Sequence, residues 1–166
     1  MRALASLSAI CIALLLACHV AHAEDDDDQE VGQELGAVLA WRLSPEAVEE
    51  WCRVPDPEGI AVRQKALANW LKVNDSRIKS VDARVAEVVP LLFAHSDHKE
   101  TVDSVHAQVK DLLHESLFEG KNADDIKAAC KAEADPASER WTSNGMPNVA
   151  ISLAALYDWQ TRRSAK

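Results

Sequence analysis

The chain is short of glycine, of cysteine and of basic residues, and each shortage excludes something. Its five glycines are scattered. They cannot build a G-x-G-x-x-G dinucleotide turn or a phosphate-cradling P-loop, and no G-x-S-x-G nucleophile elbow occurs. Lys and Arg number 18 against 27 Asp and Glu, a formal charge of −9. Nucleic acids and anionic membrane surfaces are bound through clustered Lys and Arg, so neither is an expected partner; a basic protein is. No segment alternates polar and apolar residues as a half-buried strand does. Long apolar runs are also missing, with one exception.

That exception is the N-terminus. MRALASLSAICIALLLAC carries one Arg and then an almost unbroken apolar stretch, the charged n-region and apolar h-region of an export signal. It falls short of the roughly 20 apolar residues of a membrane-spanning helix. Ala21, His22 and Ala23 supply the small-x-small pattern of a cleavage site, which predicts a signal peptide over residues 1–23. An alternative cut before Cys18, where LLAC approximates a lipoprotein box, would leave Cys18 as a lipidated terminus. The expected location is the periplasm or the extracellular space, or a membrane-anchored lipoprotein under the second cut. That lipid anchor is the one membrane association expected.

Cys11 departs with the leader, and Cys18 departs or is lipidated. Cys52 and Cys130 remain as an even pair in an oxidising compartment, which predicts a disulfide. The loop it closes is long, and by chain-entropy reasoning roughly 4.5 kcal/mol is the upper figure for such a bridge, since cross-links often deliver less. EDDDDQE (residues 24–30) is a charge run without an apolar residue, expected to stay extended and disordered. Its acids are consecutive and include no glycine, unlike a calcium-binding loop.

Residues 31–166 read as one helical domain. Leu35, Val38, Leu39 and Arg42 fall on one stripe, with Trp41 beside it. Ser44 followed by Pro45 and acids reads as a fresh helix start. Ile60, Leu67, Trp70, Leu71 and Asn74 form the next stripe, and NDS after it suggests a break. Ile78, Val81, Val85, Val88 and Leu92 follow at heptad spacing, widened by Val89. Pro90 predicts a kink. Val102, Val105, Val109, Leu112 and Leu113 share a face closed by Gly120, and Asn122 caps a shorter helix with Ile126, Ala129 and Cys130 inward. The last helix is expected to bury Val149, Leu153, Leu156 and Tyr157, with Arg162 and Arg163 at its negative end. The fold class is therefore all-α: a single-domain bundle of six to seven helices stapled by one disulfide. The five Trp residues (41, 51, 70, 141, 159) suit core anchors, and Trp51 could pack on the bridge beside it.

Candidates for chemistry are few. His95 and His98, one helical turn apart with Asp97 between, could share a metal if His106 or His114 supplied a third ligand. The competing reading is a helix junction capped by Ser96 and Asp97. HESLF begins like H-E-x-x-H, but Phe118 holds the second histidine position and cannot ligate a metal. Ser96, Asp97 and His98 are sequence neighbours, whereas a triad converges from separate elements. No catalytic residue or cofactor is assigned. Arg140, Trp141, Asn144 and Met146 put residue types of binding hot spots on an irregular stretch; the competing reading has Trp141 tuck that stretch onto the bundle.

These features suggest an exported, immunity-like protein that inhibits a protein partner such as a cell-wall hydrolase or a secreted toxin. The alternatives are an envelope metal-binding protein or enzyme using His95 and His98, and a structural or lipid-binding helical module.

Overall fold

Helix after helix follows from the 3.6-residue spacing of Val, Leu and Trp, but the breaks between them are not all where composition puts them. The computed structural model describes residues 26–94, 100–135, 137–138, 140–141 and 149–164; the expected leader, with Cys11, Cys18 and both expected cut sites, lies outside them. Among the described residues the secondary structure is all helical. It comprises α1 (Asp26–Trp51), a 3-10 turn (Pro57–Gly59), α2 (Ile60–Leu92), α3 (Val102–Phe118), α4 (Ala123–Glu133) and α5 (Val149–Ser164). Five α-helices stand where six to seven were expected, because two anticipated breaks are bridged.

The first bridged break is Ser44-Pro45. α1 continues through Pro45 without interruption. Proline inside a helix forfeits a hydrogen bond and costs about 3 kcal/mol when nothing opposes it. Here burial opposes it: Val38, Leu39, Ala40, Trp41 and Leu43 before the proline, and Ala47 and Val48 after it, are all buried. Consecutive buried positions mean α1 is covered all round, as a central helix must be, and it packs against α2, α3 and α5 at once.

The second is NDS. Asn74 does not cap a new helix; its Nδ2 donates 3.0 Å to the Trp70 carbonyl one turn back, so a buried amide is satisfied within the helix. Trp70, Asn74, Ile78, Val81, Val85, Val88 and Leu92 are then one buried stripe, spaced by three and four without a gap. α2 is about 50 Å long at 1.5 Å per residue. Pro90 lies in its final turn, two residues before the helix ends at Leu92.

The acidic segment is a further correction. Residues 26–30 are helical, not extended, and Asp28 is buried. Asp28 accepts a hydrogen bond of 3.0 Å from Trp159 Nε1 and another from Arg163. Acids are favoured at a helix N-terminus, and these are also neutralised by the basic end of α5. On α5 the buried set is Val149, Ser152, Leu156 and Trp159. Tyr157, expected inside, is 59% exposed, with the Arg84 guanidinium 4.8 Å above its ring.

Local caps finish the frame. Thr101, not Ser96 or Asp97, starts α3: the Ser104 N–H donates to its Oγ1 at 3.1 Å and Ser104 Oγ accepts from its N–H at 2.8 Å, a capping box. Gly120 has φ +71°, the left-handed turn that releases the chain from α3. Asn122 Oδ1 then accepts from the Asp125 N–H at 3.0 Å to begin α4.

Candidate functional site

Cys52 and Cys130 are bridged, with Cα atoms 5.3 Å apart, as expected. The bridge joins the turn after α1 to α4, whose one buried residue is Cys130. Beneath it Arg63 is wholly buried and spreads its guanidinium over four acceptors. Nη1 donates to Asp56 Oδ2 at 2.5 Å and to the Cys130 carbonyl at 3.2 Å; Nη2 donates to the carbonyls of Cys52 at 3.0 Å and Asp56 at 2.7 Å. One arginine thus holds the backbone of both bridged cysteines. Gly59 makes room for this clamp, since a Cβ there would stand 2.0 Å from Asp56 Oδ2 and 2.4 Å from Arg63 Nη1. At the end of α1, hydrogen bonds from Arg53 hold the buried Glu49 carboxyl below its ordinary range, against the upward push of burial.

Above the bridge the ends of α1, α3 and α4 converge on an open groove of about 490 Å³, lined by Trp51, Pro55, His114, Glu115, Phe118, Glu119 and Ile126. That size is ordinary for small-ligand sites, which run roughly 300–1,000 Å³. Its composition follows from helical spacing. His114 and Phe118 are one turn apart on α3 and form an aromatic row; Glu115 and Glu119 form an acidic row beside it. Trp51, the last residue of α1, closes the aromatic wall: its ring centroid is 5.1 Å from His114 and 6.0 Å from Phe118, both edge to face. Trp51 turns to these rings; Leu117, Phe118 and Ile126 pack around Val48 and the bridged cysteines. The exposed Val54 precedes the groove-lining Pro55 in the chain.

The residues singled out from the sequence fare differently. Trp141 is buried in the main core, and its Nε1 donates to the Glu133 carbonyl at 2.7 Å. It pins the stretch after α4 to the bundle and is withdrawn from any docking surface. Arg140 is paired with Glu133 at 2.9 Å. Asn144 and Met146 lie outside the described residues, as do His95, Asp97 and His98. His106 and His114, the two suggested third ligands, point to different uses. His114 lines the groove, whereas His106 is half-buried, with burial pushing its imidazole below the ordinary value. Among the described residues no three His, Cys, Asp or Glu side chains are grouped to hold a metal, and no helix is long and apolar enough to cross a membrane.

Sequence reasoning missed the groove although its signal was legible. HESLFE fails as a metalloprotease pattern, yet as two adjacent rows at i, i+4 it already specifies an aromatic edge beside an acidic one. No family model, curated protein or solved structure matches the chain, so its function is argued from this geometry.

Proposed function

We propose that this chain is an exported binding protein of the cell envelope that engages and neutralises a basic protein partner, such as a cell-wall hydrolase or a secreted toxin. The observation that carries the reading is the groove: an aromatic wall rimmed by Glu115 and Glu119, neither in an ion pair among the described residues. Apolar floor and unspent negative charge together suit a cationic surface with aliphatic or aromatic anchors. The overall acidity adds long-range attraction for such a partner and speeds encounter. A disulfide suits an oxidising compartment, in keeping with the leader.

The test is capture. The mature, oxidised protein immobilised in 0.15 M salt should retain a basic protein from an envelope extract, and stoichiometric addition of the free protein should abolish that partner's activity. Glu115→Lys with Glu119→Lys should remove both effects. An extract from which no basic protein is retained overturns the reading.

A further inference from the structure

The three rings of the groove are crossed, not stacked. Trp51 meets His114 at 86° and Phe118 at 81°, and His114 meets Phe118 at 59°. In an edge-to-face contact the edge of one ring covers a face of the other. The surface open to a guest is the part of each ring that solvent still reaches: His114 is exposed, and Trp51 and Phe118 are half-buried. The negative face of an aromatic ring attracts cations, most strongly for tryptophan. Glu115 on α3 and Glu119 just after its end line the same groove. Lys121, two residues after Glu119, is bonded instead to the Leu117 carbonyl. Pro55 and Ile126 complete the lining with aliphatic surface.

We infer that the groove receives a single arginine side chain of the partner protein, its guanidinium against the Trp51 and Phe118 rings and its N–H donors on Glu115 and Glu119. This rests on the reading of the chain as a binder of a basic protein and names the group that is bound. The methylene stem lies along Pro55 and Ile126. Arginine fits each feature where other cations fit only some. Its planar fork stacks on rings and presents several donors to carboxylates while remaining weakly hydrated. A lysine ammonium is a compact, strongly hydrated charge that cannot stack. A quaternary ammonium has no N–H and would leave both carboxylates without a donor.

The mature, oxidised protein is titrated in 0.15 M salt with N-acetyl-arginine methylamide, the lysine analogue and tetramethylammonium. The Trp51 indole N–H resonance, identified as the one lost in Trp51→Phe, reports the groove. The arginine amide should shift that resonance and the backbone amides of residues 114–119 saturably, at least threefold more tightly than the lysine amide. Glu115→Gln with Glu119→Gln, at exposed positions, should weaken it at least fivefold with helix content and disulfide intact. Lysine or tetramethylammonium binding as tightly as arginine overturns the inference, as does arginine binding that survives in the double variant. Partner capture undiminished in that double variant overturns the arginine site and leaves the proposed function standing. Saturable arginine binding by a protein that captures no partner does the reverse.

Discussion

The two ends of the molecule are held together by different forces. Where α1, α2, α3 and α5 meet, the interior is hydrocarbon: Val38, Leu39, Val81, Val85, Val88, Val105, Val109 and Leu156 are all without solvent exposure. Around the disulfide the buried apolar set shrinks to Val48, Cys52 and Cys130, and α4 is kept in place by a covalent bond and an arginine. Packing of the first kind resists change because many small contacts add up. The second kind depends on a few strong interactions, each of which can be deleted singly. The groove straddles the two, with Trp51 packed on the first and Phe118 and Ile126 on the second.

The largest effect is therefore expected at one polar residue. Arg63→Met keeps the length of the side chain but leaves Asp56 buried without its cation and takes a hydrogen bond from each of three carbonyls, of which that of Cys52 keeps the Asp56 N–H. Removing one partner of a buried ion pair costs about 3–5 kcal/mol, which urea denaturation of the oxidised protein would read. A loss below about 1 kcal/mol would mean that the clamp is dispensable and that the two ends are not so different after all.

Opening the bridge should act more locally. Cys52→Ala with Cys130→Ala is expected to cost about 2–4 kcal/mol. Hydrogen exchange should show the cost unevenly, with fast exchange throughout α4 and protection retained along the buried stripe of α2. The groove loses Ile126 from its wall in that state, so arginine binding should fall with α4 protection. Equal protection of α4 and α2 in the variant would show that α4 is packed and not tethered.

The two ends also differ in how far the sequence announced them. The apolar stripes of α2 and α3 and the pairing of Cys52 with Cys130 were legible, because spacing and cysteine parity are local, countable signals. The breaks were less so. Pro45 and Asn74 carry boundary chemistry that holds only when nothing larger opposes it, and burial on both sides opposed it. Yet the stripe ran from Asn74 to Ile78 at four residues, a continuity that outweighs a polar triplet. The two termini also meet: Asp28 accepts from the buried indole of Trp159, a pairing that no local spacing shows, while Tyr157 two residues away is exposed. Arg63 could not be found from sequence at all, since its acceptors come from two stretches of chain, Cys52 to Asp56 and Cys130, that only the fold brings together.

The smallest effect separates the ends by pH. His106 sits among α1, α2 and α3: burial lowers its pKa first, Arg42 and Lys110 add to this, and Asp82 and Asp103 oppose it. Its Nε2 is buried without a hydrogen-bond partner. The folded protein therefore favours the neutral ring, and the unfolded chain takes up the proton more readily. Stability from this source is complete above the ordinary value of 6.5 and is lost as pH falls below it towards the folded value. Glu49, at the disulfide end, has its pKa lowered chiefly by the Arg53 hydrogen bond, so its contribution is present above 4.5 and is lost only as pH falls below that. The urea midpoint should thus decline in two separate stages on acidification. His106→Gln should remove the first stage and leave the second, while Glu49→Gln should do the opposite. A decline near neutrality that persists in His106→Gln would assign it to another group and erase this distinction between the two ends.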